Sequence, residues 1–281
     1  MDAAVGVGLP SHLAAPDRGK PLTYANPMSD PIRPHSDDIP APISDAAAAP
    51  EPASRWEDFL DILYAPSDVY TRRAGSGFGI PLLVVTVAIG LISLANSSVL
   101  QPLMDAEFQR MAAKQMAKDS QITMEMMERG RSIGETFAKI GGFILVPVAV
   151  FLTGLFLWLI GKFFDAKQTL AAALMVTAYA YVPRIIESVM VGVQGMLMDP
   201  ASMSGRYEIS LGVGRFLDPD TSSPMLLALL GRLDVFTIWV TVLLAIGLSV
   251  TGKIPRQQAA IAAVLLWLLG AVPAMLQALQ G

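Results

Sequence analysis

The sequence predicts an all-α fold: a polytopic bundle of five transmembrane helices, with an amphipathic helix before the first span and a disordered N-terminal tail. Three observations predict it. Of 281 residues, 53% are hydrophobic and 16% are charged, against about 25% charged in an average soluble domain. Mean hydropathy is +0.51. Apolar stretches of roughly 20 residues, the length that crosses a hydrocarbon core of about 30 Å, recur over the second two-thirds of the chain.

Residues 1–53 come first. They hold ten of the twenty prolines and the run Ala46–Ala49. No hydrophobic periodicity is visible, so the segment is expected to be a disordered cytoplasmic tail. It has no positive stretch followed by an apolar one, so the first span is expected to act as its own targeting signal.

Residues 54–79 form the next unit. Ser54 and Glu57 stand at capping-box spacing. Trp56, Phe59, Leu60 and Leu63 follow at helical spacing, and Pro66 is expected to break the helix. Two readings stay open. The helix lies on the membrane surface, or it packs only on the protein's own spans.

The membrane domain, 80–281, carries candidate spans at about 80–100, 140–160, 169–190, 225–250 and 258–279. In lipid each backbone must satisfy its own hydrogen bonds, so these are helices. Pro147, Pro183 and Pro273 are expected to kink three of them. Arg72 and Arg73, Lys162 and Lys167, and Lys253 and Arg256 flank the spans on one shared side. The positive-inside rule makes that side cytoplasmic and sends the C-terminus across. The expected location is a bacterial inner membrane.

Four charges are expected to form an intramembrane cluster. Counted at 1.5 Å per residue, Arg184 lies roughly 25 Å from Lys167, and Asp234 and Arg232 lie roughly 28–32 Å from Lys253. With Glu187 they share one leaflet. Arg184 and Glu187 share a helix face. Membrane charges usually face the bundle interior and pair. The expected pairs cross helices, Asp234 with Arg184 and Arg232 with Glu187. A structural clasp is the first reading of this cluster and an ion or proton pathway the second.

The connections carry weaker signals. Residues 101–139 are expected to be helical and water-facing. Ile122, Met126, Ile133, Phe137 and Ile140 make an apolar stripe, and Glu125–Arg129 and Glu135–Lys139 make i,i+4 pairs. Six methionines there suit adaptable packing rather than Cu(I). Residues 199–224 suggest a short extended piece, with a turn at Asp218–Thr221. Asn96-Ser97-Ser98 matches a glycosylation sequon.

Function classes narrow by composition. There is no cysteine, and His12 and His35 both lie in the tail. No metalloprotease, serine-hydrolase or P-loop motif occurs, and no basic domain suggests nucleic acid. No cofactor, metal site or catalytic residue is expected.

Three stretches, "FLDILYAPSDVY" (Phe59–Tyr70), "TLAAALMVTAYAYVPRII" (Thr169–Ile186) and "LLGRLDVFTIWVTVLLAIGLSV" (Leu229–Val250), carry a resemblance. In order and spacing they resemble the Yip family, the Ypt/Rab-interacting membrane proteins, and in particular its bacterial branch. The resemblance covers roughly residues 56–279. It implies five spans and a cytoplasmic N-terminus. Eukaryotic relatives bind Rab GTPases and act in trafficking and membrane shaping. The expected function is therefore a non-enzymatic scaffold or membrane-organising protein. Its partners are the bilayer and other membrane proteins or further copies of itself. The alternative is a small transporter or channel that uses the four-charge cluster.

Overall fold

The computed structural model describes residues 54–119, 121–199, 208–218 and 221–280. The tail, Tyr207 and Asp220 lie outside them, as do the side chains of Ile133 and Phe137. Among the described residues the order is α1 (Asp58–Asp61), α2 (Pro66–Arg73), α3 (Gly79–Lys118), α4 (Met124–Lys162), α5 (Leu170–Ala180), α6 (Val182–Leu197), α7 (Pro224–Leu230), α8 (Val235–Gly252), α9 (Arg256–Leu269) and α10 (Val272–Gln280). A 3-10 turn, Val213–Phe216, precedes α7. The fold is all-helical, and five segments are long and apolar enough to cross a membrane: 79–118, 139–162, 170–197, 235–252 and 256–276.

The third span is the bundle's axis. Residues Ala172–Ala180 of α5 are all buried. Four of these nine are alanine, and small side chains let neighbouring backbones approach closely in a membrane bundle. α4, α8 and α3 surround it. The first two spans cross where glycine meets glycine: a Cβ on Gly142 would lie 2.9 Å from the Gly90 Cα. A larger residue there would wedge α3 from α4.

The prolines act at helix starts more often than inside helices. Pro147 is interior to α4. Pro183 instead sits in the first turn of α6, after α5 closes at Tyr181, where its missing N–H costs no intrahelical hydrogen bond. Pro66 likewise opens α2, so it begins a second helix where the sequence suggested an end. The fourth span is shorter than expected. α7 closes at Leu230, and α8 starts afresh at Val235 behind its cap Asp234.

Most of residues 101–139 is helical, as the sequence suggests: α3 reaches Lys118 and α4 begins at Met124. α3 and α4 run on past the spans as a pair. Arg131 ties them, bonding Asp105 across the pair and Glu135 on its own helix, over the Phe108 ring. Glu135 thus turns to Arg131 rather than to Lys139. Glu125–Arg129 forms as expected, at 2.7 Å. Met104, Met111, Met124 and Met126 face outward, so they do not fill the seam.

Tight turns join the spans at the basic end. Asp165 and Lys253 take left-handed backbone conformations there, and the Lys167 amide donates to the Gly252 carbonyl at 2.9 Å. This ties the loop between the second and third spans to the loop between the fourth and fifth.

Candidate functional site

Two polar clusters stand out. One is the four-charge group that the sequence singles out, at the end of the bundle away from those basic turns. Arg184 and Glu187 sit on α6, three residues apart, and their side chains meet at 2.6 Å. Arg184 also donates to Thr237 Oγ1 on α8 at 3.0 Å. Asp234 is buried and serves as the N-cap of α8. Its Oδ1 accepts from the Phe236 amide at 2.8 Å and the Thr237 amide at 3.4 Å. Arg232 points to the fifth span, donating to the Trp267 carbonyl at 3.2 Å.

The two expected cross-helix ion pairs do not form. Arg184 takes the carboxylate nearest on its own helix, where an i,i+3 contact needs no distant partner. Asp234 meets the amides that a helix start leaves unpaired. The third and fourth spans are still linked here, through Thr237. Its hydroxyl accepts from Arg184 and its amide donates to Asp234. Beside Glu187 lies a cavity of about 110 Å³, lined also by Gln194, Ile209, Ser210 and Phe236. Asn96 donates to the Ser188 carbonyl at 2.8 Å and is buried. Its amide is spent on joining the first span to the third, which removes the sequon reading.

The second cluster was not singled out by the sequence. Asp58, on α1, is fully buried. Its two carboxylate oxygens bond Arg72 and Arg73 of α2. The Tyr179 hydroxyl, from the buried α5, reaches the same carboxylate at 3.4 Å. Arg72 bonds Asp61 as well. The Tyr64 hydroxyl donates to Asp61. That bond, then Arg72, holds the Asp61 carboxyl below the ordinary aspartate range. Arg72 is raised by its bonds to Asp58 and Asp61.

Apolar contacts carry this cluster onto the spans. Ile62, Val69 and Tyr70 have no exposed surface. The Tyr70 hydroxyl lies 3.4 Å from the Val176 carbonyl of α5, and burial pushes its pKa up, so it stays protonated. Gly247 makes the room: a Cβ there would meet Val176 at 2.3 Å and the Tyr70 ring at 3.1 Å. Phe59 packs on the Tyr179 ring, with centroids 5.5 Å apart. So the inner face of the segment before the first span packs on the third and fourth. Its outer face is a separate matter. Trp56, Leu60 and Tyr64, at i, i+4 and i+8, are 69%, 65% and 74% exposed. Among the described residues, no group of His, Cys, Asp and Glu is arranged to hold a metal ion.

A family model described as the Yip1 domain matches residues 60–276. No curated protein and no solved structure matches the chain. The matched stretch begins inside α1 and ends inside α10, so it takes in the four-charge group and all of the second cluster except Asp58.

Proposed function

Because the chain belongs to the Yip1 domain family, and is thus an integral membrane protein whose spans meet the lipid bilayer, we propose that it is a non-enzymatic scaffold of a bacterial inner membrane. It gathers other membrane proteins, or further copies of itself, on its cytoplasmic face. The family match supports a membrane role. The basic residues Arg72, Arg73, Lys162, Lys167, Lys253 and Arg256, gathered at the loops of one end, support a cytoplasmic N-terminus.

One observation carries the proposal: the Trp56–Leu60–Tyr64 stripe. An isolated amphipathic helix would bury its whole apolar face in one surface. Here the inner face, with Phe59, Ile62 and Leu63, packs on the core, and a second set of large side chains still points away. Aromatic anchors at the centre of a patch carry much of the binding energy of protein–protein interfaces. The clasp around Asp58 fixes the stripe in place, so its side chains are preorganised rather than ordered on contact.

A photo-cross-linking residue at position 60, in native membranes, tests this. The expected outcome is a discrete protein adduct that Trp56→Asp weakens. Adducts to lipid alone would remove the scaffold reading. The cysteine-free sequence lets single introduced thiols report sidedness without background. Labelling at position 64 from the outer side would reverse the proposed orientation.

A further inference from the structure

Arg232 and Trp267 meet where the fifth span breaks. α9 closes at Leu269, with Gly270 as its cap. The Arg232 guanidinium lies over the Trp267 ring, 5.8 Å from its centre, and one Nη donates to the Trp267 carbonyl. Gly270 makes this approach feasible, since a Cβ there would lie 2.7 Å from that Nη. In part the arrangement is a helix cap, a cation on the last carbonyls of α9.

The cap does not account for two nitrogens. Arg232 Nε and Trp267 Nε1 are buried, and neither has a hydrogen-bond partner. Both are donors only. What the pair lacks is therefore an acceptor. The charge lacks a partner too. Glu187 is taken by Arg184, Asp234 by the amides of α8, and Arg232 makes no ion pair among the described residues. Arg232 precedes α8, whose 18 residues set it roughly 27 Å from the basic turns, at the far lipid edge. Its contacts there are a carbonyl and a ring, and a membrane guanidinium ordinarily also finds a counter-ion.

We infer that Arg232 and Trp267 form a binding site for a phosphate-type oxyanion at the end of the bundle opposite the basic loops. Two oxygens of one phosphate serve a guanidinium and an indole N–H together, and arginine suits phosphate by geometry as well as charge. A phospholipid headgroup or free phosphate brings the same group. The glycine at 270 is then needed twice, for the cap and for a guanidinium free to tilt toward the ligand.

The test uses the full chain in detergent. Thermal unfolding is followed with added phosphatidylglycerol, with a galactosyl diacylglycerol that has no phosphate, and with inorganic phosphate at constant ionic strength. Phosphatidylglycerol is expected to raise the Tm of the wild type by about 3 °C more than the galactolipid. Arg232→Gln should remove at least half of that difference. Trp267→Phe, which keeps the ring and loses the N–H, should reduce it. A matching rise with inorganic phosphate assigns the site to the free ion; a rise with phosphatidylglycerol alone assigns it to the lipid. If Arg232→Gln fails to fold, Trp267→Phe decides, with bound phosphatidylglycerol counted by native mass spectrometry. Equal Tm with both lipids and no effect of phosphate would overturn the site and leave water as the acceptor, as would lipid counts unchanged in Trp267→Phe.

Discussion

The two polar clusters solve the problem of charge in a membrane protein in opposite ways. Around Asp58 a single carboxylate with no exposed surface gathers two arginines and a tyrosine from α2 and α5. Around Arg184 three of the four charges find a near neighbour, Arg184 and Glu187 in each other and Asp234 in the amides two and three residues on, while Arg232 reaches across to the Trp267 carbonyl. The first cluster joins separate elements and so holds the fold's entrance to its core. The second mostly finishes individual helices, with Thr237 linking α6 to α8 and Arg232 reaching α9. Charges at equal depth are therefore not a guide to which of them pair. The helix ends nearby, with their unpaired amides and carbonyls, compete for the same side chains.

That contrast can be broken most forcefully at Asp58. Asp58→Asn leaves two guanidiniums facing a neutral amide in a buried site. It is expected to cost about 3 kcal/mol and to expose Arg72 and Arg73 to trypsin in detergent. Unchanged cleavage would mean that apolar packing alone holds α1 and α2. Gly247→Val attacks the same interface without touching a charge. Its side chain would collide with Val176 and Tyr70, at a cost of about 1–3 kcal/mol, again read as release of α1 and α2.

Double-mutant cycles sharpen the comparison. Asp58 and Arg73 are in direct contact, so their coupling should reach about 1–3 kcal/mol. Arg184 and Asp234 do not touch and share only Thr237, so their coupling should stay at the low end, about 0.5 kcal/mol. Asp234→Ala by itself should cost about 1 kcal/mol as a lost cap. A large Arg184–Asp234 coupling would restore the cross-helix pair that the sequence suggested.

The spans were legible because hydrophobic length is a signal carried by one segment at a time. The partners of the charges were not, because they are settled by which segments meet. Asp234 shows where a finer reading was available. It stands immediately before the apolar run Val235–Val250, which is the place of an N-cap. Read that way, it marks the start of the fourth span and withdraws Asp234 from the pairing with Arg184. Asp58 offered less. An aspartate among Trp56, Phe59 and Ile62 reads as the polar face of a surface helix until α5 is known to bring Tyr179 beside it. The inward packing of α1 and α2 depends on the glycine at 247, and nothing within residues 54–79 points to that residue. The glycines at 90 and 142 are similar: their contact is visible only once α3 and α4 are paired.

The smallest expected effect is a pH dependence at the edge of the Asp58 cluster. Asp61 has a lowered pKa, chiefly through the Tyr64 hydroxyl and next through Arg72. A carboxyl lowered in the fold stabilises it above the unfolded value, about 3.9, and loses that contribution as pH falls through the folded value. Arg72 stays charged across this range. The opening equilibrium of residues 58–73, read from hydrogen exchange with the intrinsic pH dependence divided out, should therefore be flat from pH 7 to 5 and should rise only as acid protonates Asp61. Tyr64→Phe removes the largest cause of the shift, so the rise should begin at higher pH, closer to the unfolded value. It should leave the buried Asp58 contacts in place, because Tyr64 is exposed and touches only the rim. A Tyr64→Phe protein whose profile does not move would show that Arg72, shared between Asp61 and Asp58, sets the acid response of the whole clasp by itself.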